Sequence, residues 1–463
     1  MDERSLQAEI ERLRPENAQL RNKVSELEAR VEKLLGIVES LQRGHKRQAA
    51  PFSKGPPKPD PKPPGRKPGD AYGRQANRAI PPVIDETYEA PLPFDCPFCH
   101  GDVVFEKIEP QYQTEIPRKP IHRQFKVHIG RCSCCGKRVQ GRHSLQTSNA
   151  LGAARSQLGP DAQALATILN KEAGLSHGKI SRFFQFAFGI GIVRATPART
   201  MLRAAQRVLP AYGEIQIAVK HSDWVVPDET GWKVGGLLQW LHAFVTEHAT
   251  LYVIRPSRGF DVPEEALGAD YSGDMTHDGW PVYEQFYAAH HGACNGHLFT
   301  RSNRLLETAS GGAVIFPRAV KALLHKGLAI RNAREAGEIS LEQASAKAGK
   351  LTERLEKLCG PKAHPGNERL AKFLHWNRYD VFRYLSRPNL KATNWLAEQA
   401  LRPAVVNRKV WGGNRTQNGA NAQGVLISVL RTLAQKSRYA LDYLAQTLRA
   451  PPGKAPRLLL QAT

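Results

Sequence analysis

Three acids stand out by their positions. Asp228, with Glu229 beside it, follows an apolar run in VVPDETGWKV; Asp278 closes another in THDGWPVY; Glu398 sits alone in the basic stretch NLKATNWLAEQALRPAVVNRKVWGG. At the strand ends of an α/β sheet, such side chains line a crevice backed by a rigid scaffold, where carboxylates can act on a ligand. Aspartate beside glycine or near proline also forms turns, so Asp228 and Asp278 suit turn chemistry equally well. On a helix, Asn394, Glu398 and Arg402 fall at i and i+4 and share a face, which leaves Glu398 open to an ordinary exposed pair with Arg402. No serine elbow, Walker loop or dinucleotide glycine motif competes for the chemistry.

The cysteines point to a second chemistry. Of seven, five lie between Cys96 and Cys135, in CPFC and CSCC. Cys96 with Cys99, and Cys132 with Cys135, form two C-x2-C pairs, each followed by glycine, the spacing of a four-cysteine structural zinc ribbon. Four thiolates close the coordination of one Zn²⁺ and leave no open position for catalysis. Cys134 is a spare thiol within the second pair.

Longer-range patterning supplies the scaffold. Leu6, Leu13, Leu20, Leu27, Leu34 and Leu41 recur every seven residues, with Ile10, Asn17, Val24, Val31 and Val38 between them. Leucine at d with β-branched residues at a predicts a parallel two-stranded coiled coil, Asn17 fixing its register and Pro15 kinking or fraying its start. The following PFSKGPPKPDPKPPGRKPGD reads as an extended linker. Helical spacing from 161 to 208, with Ser176 and Thr196 as N-caps, predicts short helices of a helix-turn-helix kind. Strand-like runs from 215 to 287 give an α/β pattern, and 317–385 is again helical, most clearly in EISLEQASAKAGKLTERLEKL.

Charge points to the partner. The chain of 463 residues carries 66 Lys and Arg against 43 Asp and Glu, a net charge of +23. The excess is concentrated: Arg43–Asp70 holds eight basic residues against two acids, and the segment from Leu390 onward eleven against Glu398 and Asp442. A polyanion, nucleic acid above all, is the expected partner. No apolar run approaches the roughly 18 residues of a membrane span, and the charged N-terminus lacks a signal peptide's apolar core, so a cytosolic protein without membrane contact is expected.

The zipper, the linker ending GRKPG, the cysteine pairs, DETGWKV, SGDMTHDGWPVY and NWLAEQALRPAVVNRKVWGGNRTQNGA together resemble transposases of the bacterial insertion sequence 66 family over nearly the whole chain. The resemblance implies an RNase H-like catalytic domain whose Asp, Asp, Glu triad falls on Asp228, Asp278 and Glu398, leaving Glu229 a neighbour. Three carboxylates suit two Mg²⁺ (or Mn²⁺) ions roughly 4 Å apart, one activating water or a 3′-hydroxyl, the other stabilising the leaving oxygen. Asn394, Arg402, Arg408 and Lys409 would grip DNA phosphates near the ions, and Arg66 and Lys67 would follow the backbone from the linker. His297, three residues after Cys294 in CNGHLF, matches a Cys-x-x-His element of the family and is expected to serve packing. Trp395 stands where the family has a second Asn, and Arg301 falls one place late after that element.

The expected architecture is therefore multidomain: coiled coil (1–44), Pro/Lys-rich linker (45–85), zinc ribbon (86–145), helical DNA-binding module (150–212), an α/β RNase H-like domain in two parts (213–300 and 389–432) around a helical insertion (301–388), and a basic tail (433–463). The expected function is binding of an element's terminal inverted repeats, with Mg-dependent cleavage and strand transfer. Partners would be double-stranded DNA at the element's ends and target, a second copy through the coiled coil, and accessory proteins of the same element, at the bacterial nucleoid. A non-catalytic zinc and coiled-coil regulator, or an RNase H-like metal nuclease that cuts without joining, are the alternatives.

Overall fold

The computed structural model describes scattered positions between 13 and 34, residues 80–146 apart from 96, 109, 115, 117, 118, 142 and 144, and residues 157–459 apart from 452 and 453. Leu6, Leu41, Arg66, Lys67 and Cys96 lie outside the described residues. The chain divides into two compact units, Ala49–Arg123 and the remainder. Described positions between 13 and 34 are helical, and Leu13, Leu20, Val24, Leu27, Val31 and Leu34 are all at least 45% exposed. Within Ala49–Arg123, the described residues include a bridge between Asp95 and Asp102 and exposed Phe94 and Phe98. In the other unit, β1 (Ile129–Arg131) and β2 (Arg138–Gln140) pair antiparallel around the second cysteine pair.

Helices α1 (Pro160–Lys171), α2 (His177–Phe188), α3 (Ala195–Arg207) and α4 (Leu209–Lys220) follow. The cap expected at Ser176 is present, after a break at Gly174: Gly174 is left-handed, and the Ser176 hydroxyl accepts the Lys179 N–H to cap α2. Thr196 is not a cap; it lies within the first turn of α3, and Arg194 holds the N-cap position. Nor do these helices stand apart as a separate module. Their Ala164, Ile180, Met201 and Ile215 share one core with Val225, Phe244, Leu251 and Met275 of the sheet.

That sheet comprises β3 (Trp224–Val234), β4 (Leu237–Val245), β5 (Thr250–Arg255), β6 (Asp274–His277) and β7 (His290–Ala293), with α5 (Asp261–Leu267) crossing from β5 to β6. The strand order is β5-β4-β3-β6-β7. β4 runs antiparallel to both neighbours, while β6 runs parallel to β3 and to β7. The helical pattern expected over 317–385 is present but begins earlier: α6 (Asn295–Thr308), α7 (Ile315–Glu335), α8 (Leu341–Leu358) and α9 (Pro365–Trp376) bury Leu298, Val320, Leu324, Leu355 and Leu374 in their own core. A capping box of Ser340 and Gln343 starts α8.

The chain then returns to the sheet through α10 (Trp395–Trp411), α11 (Gln417–Gln435) and α12 (Ala440–Arg449). β3 side chains alternate between two cores, as the two-residue period requires. Trp224, Val226, Trp232 and Val234 pack with Ala397, Ala400, Leu401 and Ala404 of α10, whereas Val225 faces the core of α1–α4. β5 is an edge strand, and α11 covers it: Ser428 and Thr432 hydroxyls accept the Tyr252 and Thr250 N–H groups at 2.8 and 3.1 Å. The stretch expected as a basic tail is folded. Tyr443, Leu444, Ala445 and Leu448 of α12 and Leu458 beyond it are buried in the α1–α4 core, and Glu214 accepts the Leu458 and Leu459 N–H groups. Its apolar residues fall on one helix face, which the flanking basic residues mask in composition. No helix among the described residues is long and apolar enough to cross a membrane.

Candidate active site

β3 opens where its ladder to β6 ends. Pairing with β6 covers only Trp224 and Val225, and Pro227, lacking an N–H, cannot donate to any ladder. Asp228 is the next residue, half-buried, and by alternation its side chain leaves the strand on the face packed by α10. Burial raises its carboxyl from 3.8 to about 7, helped by the charges of Glu229, Asp278 and Glu398 and opposed by the hydrogen bond from the Glu229 N–H. Asp278 and Glu398, expected to act with it, are thus near enough for their charge to reach Asp228.

Asp278 satisfies both readings of its sequence. It is a turn residue, its Oδ1 accepting the Trp280 N–H at 2.9 Å. Gly279 has φ +89°, and a Cβ there would lie 2.7 Å from the Phe373 ring, so only glycine fits. Arg301 stacks 4.0 Å from the same ring and donates toward the Asp278 carbonyl at 3.5 Å. The insertion therefore props the turn that carries Asp278. His277, just before it, is buried against His291, and burial pushes it down to about 3, so it stays neutral.

Glu398 lies in the first turn of α10, and the basic side chain beside it is His297 of α6, with Nε2 3.8 Å from Oε1, a contact that is an ion pair only when the imidazole is protonated. Sequence reasoning gave His297 only a packing role and offered Arg402 as the partner. Cys294 and Asn394 hold the two helix starts together: the thiol donates to Asn394 Oδ1 at 3.0 Å and accepts the Asn394 N–H at 3.2 Å. Asn394 is 1% exposed, so it is a buried residue at the head of α10, out of reach of a phosphate.

The basic residues of α10 divide in the same way. Arg408 reaches back to β3, donating to Thr230 Oγ1 at 3.2 Å and to the Gly231 carbonyl, and burial lowers its pKa. It ties helix to strand rather than facing a ligand. Arg402 and Lys409 are exposed, Arg402 lining a cavity of about 420 Å³ with Glu172, Trp395 and Arg431.

Glu229, the neighbour of Asp228, points to the opposite face and is held there. Arg258 donates to its Oε1 from Nε and Nη2 at 2.9 and 2.7 Å, and the Tyr283 hydroxyl donates to Oε2 at 2.6 Å. Arg258 and Tyr283 escaped sequence reasoning because their partner is 29 and 54 residues away.

At the second cysteine pair, the turn between β1 and β2 is closed by Cys132 N–H to the Lys137 carbonyl and Gly136 N–H to the Cys132 carbonyl, both 2.9 Å. Backbone hydrogen bonds from Cys135 and Cys134 lower the Cys132 thiol pKa, favouring the thiolate that a metal takes. Among the described residues no group of three or more His, Cys, Asp or Glu could already hold a metal ion. What fits a cation at the three acids is donor chemistry: oxygen ligands only, with repelling charges that a hard divalent ion would relieve.

Fold and site together define a mixed α/β protein in which the charges of Asp278 and Glu398 reach the half-buried Asp228 of its central strand. The chain belongs to the transposase IS66 family, whose model matches residues 155–422. No match was found among curated proteins. The family makes the chain a nucleic-acid-processing enzyme of the transposase class.

Proposed function

We propose that the chain cuts and joins DNA strands as a DDE transposase, with Asp228, Asp278 and Glu398 holding two Mg²⁺ or Mn²⁺ ions. The observation that carries this is the placement of Asp228 on β3, just beyond its ladder to β6, where burial first and then the charges of Glu229, Asp278 and Glu398 raise its carboxyl. The strand order β5-β4-β3-β6-β7, with an acid on the central strand and another just past the adjacent parallel strand, supports an RNase H-like domain. Bound divalent ions would polarise the phosphodiester and activate the attacking hydroxyl. The chain's own residues orient and hold. His297 steadies Glu398, the Phe373–Arg301 stack steadies the Asp278 turn, and exposed Arg402 and Lys409 would bind phosphates.

The remaining parts serve the same task. The exposed apolar stripe at Leu13, Leu20, Val24, Leu27, Val31 and Leu34 favours a coiled-coil dimer, which would bring two element ends together at the nucleoid. Cys96, Cys99, Cys132 and Cys135 would hold one structural Zn²⁺, a reading that rests on their spacing and on the hydrogen-bonded turn after Cys132.

The test is a Mg²⁺-dependent cleavage and strand-transfer assay on a plasmid carrying the element's ends, with accessory proteins of that element supplied. Asp278→Asn should abolish both reactions while end binding persists. Unchanged reactions would remove Asp278 from the site, and cleavage without joining would favour a nuclease.

A further inference from the structure

One planar cation links the two segments that carry Asp228 and Asp278. Arg258, in the connection from β5 to α5, lies with its guanidinium carbon 3.9 Å from the Trp280 ring and 4.6 Å from the Trp240 ring. Trp280 belongs to the Asp278 turn, where its own N–H bonds Asp278 Oδ1. Trp240 belongs to β4 and pairs with Gly231 of β3. The edge of the same guanidinium grips Glu229, whose side chain is 4% exposed and whose other oxygen takes the Tyr283 hydroxyl. The cation thus grips the strand that bears Asp228 with its edge and the turn that bears Asp278 with its face.

We propose that Arg258 is a positioning residue, a clamp that sets the separation of Asp228 and Asp278 and so the affinity of their divalent-ion site; this rests on the metal reading above. Glu229 and Arg258 lie on the face of β3 opposite Asp228, so the clamp acts without joining the ligands. Its chemistry requires arginine. A lysine ammonium has neither the fork that takes Glu229 from two nitrogens nor a flat surface to sit between two rings. Glu229 carries a second consequence: locked by Arg258 and Tyr283, it is withheld from the ions although it adjoins a ligand in sequence.

Mn²⁺ titration calorimetry on the full chain tests this, at a temperature where circular dichroism shows each variant folded. Native protein should bind Mn²⁺, and Asp228→Asn should lose that binding. Arg258→Gln and Arg258→Lys should each weaken it by about 10–100-fold, the range typical of residues that orient metal ligands. The pair Glu229→Gln with Arg258→Met removes both charges together, which spares the fold the cost of a lone buried charge. It should bind Mn²⁺ as weakly as Arg258→Gln, and it decides between clamp and plain ion pair if the single variants do not fold. Native affinity in the pair, or in either folded single variant, would reduce Arg258 to a fold-stabilising ion pair and overturn the clamp. No Mn²⁺ binding by the native chain, or undiminished binding by Asp228→Asn, would overturn the metal reading itself.

Discussion

His297 Nε2 stands 3.8 Å from Glu398 Oε1, joining the first turns of α6 and α10. Beside it, Cys294 and Asn394 bond across 100 residues of sequence and hold together the starts of the two helices that carry the imidazole and the carboxylate. His297→Asn should slow cleavage by about tenfold, the low end for loss of a residue that orients a metal ligand. End binding, followed by gel shift, should not change. An unaltered cleavage rate would return His297 to a packing role.

Asp228 gives a pH signature. Its carboxyl rises from 3.8 in the ordinary state to about 7 in the fold, so between those values the native state holds more protons than the unfolded chain. Metal-free stability should therefore fall as pH rises through that window and level off above about 7. Asp228→Asn should flatten the slope and raise stability at pH 8 by on the order of 2 kcal/mol. Melting curves in chelator across pH 4–9 would read it. Added Mg²⁺ at pH 8 should stabilise the native chain more than Asp228→Asn.

Arg402 and Lys409 are exposed on α10, whereas Asn394 and Arg408 are engaged within the protein. Neutralising either exposed residue with glutamine should lower the salt dependence of DNA binding by about one unit of log–log slope. Arg408→Gln should instead lower the melting temperature, because it unties α10 from β3. Binding isotherms between 50 and 200 mM salt separate the two outcomes.

Leu444 is fully buried in the core shared with α1–α4. Leu444→Ala should cost about 2–5 kcal/mol in denaturant unfolding. A cost near zero would restore the stretch after 433 to the status of a tail.

Zinc should be present at one ion per chain in metal analysis of protein purified without chelator. Cys132→Ser should lose it, while the catalytic unit's response to Mg²⁺ persists.

Much of the catalytic frame was legible in the sequence because its signals are local. The apolar runs gave β3 and β6, although β3 continues past Asp228 to Val234 because β4 pairs with it all the way, so that acid is mid-strand rather than at a strand end. Ser176 announced a cap, and the spacing in EISLEQASAKAGKLTERLEKL gave α8. What stayed hidden depends on distant partners. Nothing near Asn394 announces that Cys294 will bury it, and nothing near Arg258 announces two tryptophans from other elements. Thr196 misled because Pro197 takes its place within the helix, so α3 starts two residues earlier than a Thr cap would allow. The tail misled because basic composition hid a one-sided apolar helix.

The pair Asp161–Arg449 spans 288 residues, and Glu214 waits for the Leu458 and Leu459 amides. Translation delivers α1 and α4 well before these partners, so the core beneath the sheet stays incomplete until Leu459 has been made. A copy of the gene interrupted before Leu458 should therefore yield a chain that cells degrade, not a shortened enzyme that still binds DNA. Loss of these late partners should therefore cost the α1–α4 core, not just a surface segment.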